Sequence, residues 1–152
     1  MNLFMNMPEY NLEESLGCFV GRAHRVLANR LNRNFAEAGH EVTGEQWQIL
    51  TRLWQEDGQS QQQLADCACK DKTSVTRLID GLEKRNLVLR VADQTDRRNN
   101  LIYLTNKGKT LRKELSDVVK KTLAEAQQGV KAEHLAICKK ALDKVYQNLS
   151  ET

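Results

Sequence analysis

A chain of 152 residues is long enough for one domain with its own hydrophobic core. It contains no apolar run that could cross a bilayer and no signal-like segment near its start, so the sequence predicts a soluble, cytoplasmic protein with no membrane partner. A single proline and 5% aromatic residues favour a helical chain over a β-sandwich, while the net charge of +3 says little on its own.

Residues 12–38 place Leu12, Leu16, Phe19, Val20, Ala23, Leu27, Leu31, Phe35 and Ala38 three or four apart, the pattern of one long amphipathic helix of roughly 40 Å. Gly39-His40 ends it. Thr43 and Gln46 form a capping box for a second helix, with Val42 stapled to Trp47 and an inward stripe of Trp47, Leu50, Leu53 and Trp54. Asp57-Gly58 stops that helix. Ser60 and Gln63 open a short third helix through Ala68, with Leu64, Ala65 and Ala68 inward. After the turn Cys69-Lys70-Asp71, Asp71 caps a helix from Lys72 by accepting from the Ser74 N–H. Val75, Leu78, Ile79 and Leu82 are its buried face, and Asn86 its left-handed end. Leu87–Ala92 and Leu101–Thr105 read as a hairpin around a turn at 93–99. From Asn106 the chain is helical again, with Leu111, Leu115, Val118, Val119, Leu123 and Ala126 on one stripe. Beyond Gly129 a last helix spaces Leu135, Cys138, Leu142, Val145 and Leu149 as a heptad-like seam, which places Cys138 in buried packing.

This order defines a mainly α fold with a small β-hairpin wing, a winged helix-turn-helix occupying residues 1–152 as one domain. Residues 43–105 form the DNA-binding lobe. The one-sided helices at 12–38 and 106–149 bury their stripes best against a second copy, which predicts a homodimer. The charge is uneven. Residues 70–113 hold twelve Lys/Arg and five Asp/Glu, a net +7, and leave the remainder at −4. Such a segment is either a footprint for nucleic acid or a lysine-rich solvated surface. No aromatic platform for single-stranded bases accompanies it, which favours double-stranded DNA over RNA.

Other chemistries find little support. Cys18, Cys67, Cys69 and Cys138 fit free thiols better than disulfides, and neither they nor His24, His40 and His134 have the spacing of a metal site. No GxSxG, HExxH or P-loop is present, so neither an enzyme nor a cofactor is expected.

LADCACKDKTSVTRLIDGLEKRNLVLR followed by DQTDRRNNLIYLTNKGKTL resembles the MarR family of bacterial transcriptional regulators. The matching features are the helix KTSVTRLIDGLEK, the wing DQTDRR and the LTNKG that follows it. The flanking helices fall in the family's order too, and ESLGCFVGRAHRVL looks like its first helix. The chain departs from the family pattern at Asn86 (usually Gly), at Cys69-Lys70 in the helix-turn-helix turn, and at Gln94, where the wing often has Pro.

The outer face of the helix from Lys72 offers Lys72, Thr73, Ser74, Thr76 and Arg77 to a major groove, with Arg77 available for a base edge. At the hairpin tip Arg98 is expected in a minor groove, Asp96 holding it or another basic group, and Arg97 on phosphate or in solvent. By resemblance, the family's wing Asp and Arg fall on Asp96 and Arg98. The resemblance also implies a ligand-responsive repressor on a pseudo-palindromic operator, with a small-molecule effector pocket for which Phe19, His24, Trp47 and Leu50 are candidates. Taken singly, those residues also read as core or surface. Cys18 lies about one residue from the family's peroxide-sensing thiol, so a redox-switched regulator is an alternative to a structural cysteine. A winged-helix module that binds an acidic protein instead of DNA is another.

Overall fold

The computed structural model describes residues 9–68 and 71–150. The side chain of Ala68 and the turn at Cys69-Lys70 lie outside the described residues. Helices α1 (Leu16–Glu37), α2 (Gly44–Gln55), α3 (Gln61–Ala68), α4 (Lys72–Lys84), α5 (Asn106–Thr110), α6 (Arg112–Ala126) and α7 (Ala132–Ser150) are joined by strands β1 (Gln59–Ser60), β2 (Val88–Ala92) and β3 (Asn100–Leu104). The chain divides into two compact units, one up to Thr122 and one from Leu123.

The first helix is shorter than its apolar spacing predicts. Leu12–Glu14 is a separate 3-10 turn capped by Asn11, and the Ser15 side chain then accepts from the Cys18 N–H to start α1. At 22 residues α1 is about 33 Å long. Its two ends differ. Phe35 is fully buried and Leu31 packs beside it, whereas Leu16, Phe19, Val20 and Leu27 remain exposed. A buried amide–hydroxyl bond, Asn34 Nδ2 to Thr122 Oγ1 at 2.8 Å, fastens the C-terminal end of α1 to α6.

Both capping boxes form. The Gln46 side chain accepts from the Thr43 N–H while the Gln46 N–H donates to the Thr43 hydroxyl, and Ser60 and Gln63 repeat the exchange at α3. Val42 is buried as the staple requires. The inward stripe of α2 is Gln46, Ile49, Leu50 and Leu53, with both tryptophans only half-buried. Gln46 is drawn inward because its amide closes the cap and donates weakly to the Leu78 carbonyl of α4. Val75, Ile79 and Leu82 are buried on α4, Leu78 packs at the edge of the core, and Asn86 takes the left-handed conformation at φ 58°.

The wing carries one strand more than a hairpin. β1 pairs antiparallel with β3, giving the order β1-β3-β2. Ile102 and Leu104 point into the core, and Leu101 and Tyr103 point away, as their alternation implies. The stretch after the wing breaks into α5 and α6 at Leu111, where the Thr110 hydroxyl and the Leu111 N–H both bond the Lys107 carbonyl. The Thr105 side chain caps α5 by accepting from the Gly108 N–H.

In the second unit, Gly129 with φ 77° ends α6, and α7 follows. No residue of α7 is buried. Cys138, expected in packing, is exposed, because a seam spaced in heptads buries nothing until another helix covers it.

Gly108 has no room for a side chain, since a Cβ there would strike the backbone carbonyl of Leu87, which cannot yield as a flexible side chain could. Gly108→Ala is therefore expected to lower stability by about 1–3 kcal/mol, read as a fall in the urea midpoint at unchanged slope.

Candidate nucleic-acid interface

The start of α4 is held by Asp71, whose carboxylate accepts from the Ser74 N–H at 2.7 Å and from its hydroxyl at 3.2 Å. The Ser74 backbone hydrogen bond, with its hydroxyl second, holds the Asp71 carboxyl below the usual carboxylate value of 3.8, so the cap is present at neutral pH and lost only as pH falls through that depressed range. The hydroxyls sequence reading assigned to DNA are partly engaged. Ser74 donates to Asp71, and Thr76 donates to the Lys72 carbonyl and accepts from the Gln61 amide of α3. Thr76 is thus a link between the two helices of the helix-turn-helix. Lys72, Thr73 and Arg77 remain exposed on the outer face.

Arg90 on β2 reaches back to α4. It donates to Asp80 at 2.5 Å, to Glu83 at 3.0 Å and to the Thr76 carbonyl at 3.2 Å. Residues 76, 80 and 83 stand on successive turns of one helix face. With its side chain 18% exposed, Arg90 works as a strut between helix and wing. Its charge is matched locally, so it adds nothing to an anion-seeking surface.

The wing tip is a pair of side-chain turns. Asp93 accepts from the Thr95 N–H and hydroxyl, Asp96 accepts from the Arg98 N–H at 3.0 Å, and the Asn99 N–H donates to the Asp96 carbonyl. The Thr95 backbone bond leads in holding the Asp93 carboxyl below 3.8. Asp96 therefore positions Arg98 through its backbone, and among the described residues it makes no ion pair with the Arg98 guanidinium. Lys72, Arg77, Arg97 and Arg98 likewise make no ion pair among the described residues. Lys72 and Arg98 line one cleft of about 170 Å³ together with Gln61, Gln62, Asn99 and Asn100. Those four amides were not singled out by sequence. The only signal for them was a run of amide residues at a capped helix start and another beside Arg98.

The expected effector residues do not converge. Phe19 is 48% exposed with Arg22 stacked 4.4 Å from its ring centroid, His24 is exposed, and Leu50 is fully buried core. Trp47 lines a cavity of about 320 Å³, which Ile49, Arg52, Leu64 and Cys67 also border. Cys18 is half-buried at the start of α1.

A three-helix core carrying a capped, outward-facing helix and a strut-braced basic hairpin is a winged helix-turn-helix. Residues 42–99 match the sequence model of the MarR family. The fold is shared with the Streptomyces coelicolor transcriptional regulator PcaV in complex with its natural ligand (TM-score 0.82, 20% identity, 95% of this chain and 100% of that one). It is shared also with a probable transcriptional regulator from Pseudomonas aeruginosa (TM-score 0.80, 22% identity, 89% and 99%) and with reduced AbfR bound to DNA (TM-score 0.70, 20% identity, 89% and 92%). The chain thus has the winged-helix fold of these neighbours, and its residues 42–99 are similar to the MarR family.

Replacing Arg90 with Met keeps the stem of the side chain and removes the three donated bonds. Amide hydrogen exchange is expected to rise in β2 and at the wing tip while the α2 core stays protected. Unchanged exchange in β2 would show that strand pairing alone holds the wing.

Proposed function

We propose that this protein is a homodimeric repressor that binds a pseudo-palindromic DNA operator and answers to a small-molecule effector. The observation that carries the DNA reading is the shared cleft of Lys72 and Arg98, where the start of α4 and the wing tip present unpaired cations and amides together. Thr73 and Arg77 extend the helix side of that surface, with Arg77 for a base edge and Arg97 for phosphate. A DNA-bound neighbour of the same fold adds support.

The dimer reading rests on apolar faces. Leu16, Phe19, Val20 and Leu27 on α1 are exposed, and Ile137, Leu142, Tyr146 and Leu149 on α7 are exposed as well. Exposed stripes of this size mark association surfaces. Two copies would set their α4 helices one helical turn of DNA apart, about 34 Å. For the effector, the cavity beside Trp47 is the place to look, in keeping with a neighbour solved with its natural ligand.

Selection of bound sequences from random duplexes by the purified protein tests the function as a whole, and recovery of no common sequence would defeat it. On the selected operator, Arg98→Ala is expected to bind more weakly, with a salt slope shallower by roughly one unit. Asp96→Ala is expected to weaken binding too, although it removes a negative charge, because the Arg98 N–H loses its acceptor. Tighter binding by Asp96→Ala would mean that the tip acts by charge alone.

The dimer is tested by sedimentation at micromolar concentration. The native chain is expected to run as a dimer, and Leu142→Glu to raise the dissociation constant by at least about tenfold, since a carboxylate in an apolar seam is left unpaired.

A further inference from the structure

Three glutamines open α3, and the fold gives each a different partner. Gln63 accepts from the Ser60 N–H and closes the cap, and Gln62 donates to Asp66 one turn along its own helix. Gln61 reaches out of α3. Its Nε2 donates to the hydroxyl of Thr76, 15 residues on and in the second turn of α4.

The direction of that bond follows from a single proton. The Thr76 hydroxyl has one hydrogen and donates it to the Lys72 carbonyl at 2.7 Å. A second group meeting the same oxygen must donate to it, so Gln61 can present only its NH2. The Thr76 carbonyl accepts from Arg90 Nη2 at 3.2 Å. One residue of α4 is therefore held from α3 through its side chain and from β2 through its backbone.

Apolar packing alone leaves something unfixed. Leu64 and Ala65 of α3 share a buried cluster with Val75 and Ile79 of α4. Contacts of that kind set how close two helices lie, but they are not directional, and a helix can still turn about its own axis. Side-chain tips stand roughly 5–6 Å from a helix axis, so a turn of about 20° carries one through about 2 Å. That is more than a hydrogen bond tolerates. Arg77 follows Thr76 directly and is exposed on the outer face.

We propose that Gln61 is a positioning residue for DNA recognition. It acts through Thr76, fixes the rotation of α4 and so aims Arg77, without itself touching a base. The proposal rests on the operator reading above and adds to it a residue from the first helix of the helix-turn-helix.

The test has two arms, both on the full chain. Without DNA, the side-chain NH2 resonances of Gln61 are followed. The native chain is expected to show an amide proton protected from exchange with water, and Thr76→Val to remove that protection. With DNA, dissociation constants are compared for the selected operator and a random duplex. Gln61→Met keeps the reach of the side chain without its amide, and Thr76→Val keeps the shape without the hydroxyl. Each is expected to weaken operator binding by about fivefold, the worth of one neutral hydrogen bond. Random-duplex binding and the salt slope should stay unchanged, since no charge is removed. The double variant is expected to bind no more weakly than either single one, because both remove the same bond. Thr76→Ser should restore what Thr76→Val loses. Full additivity in the double variant, equal losses on operator and random duplex, or an unprotected Gln61 amide in the native chain would each overturn the proposal. A selection that recovers no common sequence defeats the operator reading instead, and the amide resonances then decide alone whether Gln61 ties α3 to α4.

Discussion

The contact on which the rest depends is the one between Gly108 and the backbone of Leu87. Leu87 leaves α4 and enters the wing. Its N–H donates to the Leu82 carbonyl, and its own carbonyl accepts from the Thr105 N–H. Thr105 also donates its hydroxyl to the Asn86 carbonyl, and it caps α5 through the Gly108 N–H. The Gly108 carbonyl in turn accepts from Trp54 Nε1 at 3.0 Å, which brings in α2. The exit of α4, the return of the wing and the start of α5 therefore meet within a few bonds. Only a residue without Cβ allows that approach, which gives the glycine of LTNKG a physical reason for its place.

From that junction the wing gets its direction, and Arg90 supplies the second point of attachment. A hairpin tied at its base alone could swing; one also bonded along α4 at Thr76, Asp80 and Glu83 is held at two places. Thr76 receives the Gln61 amide of α3 as well. The helix start and the wing tip are thus presented by one braced assembly, consistent with the general need for recognition groups to sit on rigid supports.

The basic segment shows why a charge count is not a surface. Within residues 70–113, Arg90 is neutralised by Asp80 and Glu83, and Arg85 and Lys107 line a cavity behind α4. Lys109, Arg112 and Lys113 border a further cleft on α5 and α6. What stays at the helix start and the tip is Lys72, Arg77, Arg97 and Arg98. Linear windows add charges that the fold sends to different faces, and local ion pairs remove some of them from play altogether.

The sequence by itself determined the parts whose causes are local. Caps at Thr43, Ser60 and Asp71, the left-handed Asn86, the inward Ile102 and Leu104, and the positions of α4 and the hairpin all follow from neighbours within a few residues, and all were legible. Tertiary structure decided what depends on residues far apart in the chain. Pairing of Gln59-Ser60 with β3 made a third strand from a stretch too short to show a period. Asn34 found Thr122, Gln46 was turned inward beneath α4, and the hydroxyl of Thr76 was taken by α3 before it could face outward. The expected effector residues separated because Leu50 faces the core of its own lobe while Phe19 and His24 sit on the uncovered length of α1. Periodicity tells which side of a helix is apolar; only the packed chain tells what that side meets, and long-range hydrogen bonds choose among polar groups that look equivalent in the sequence.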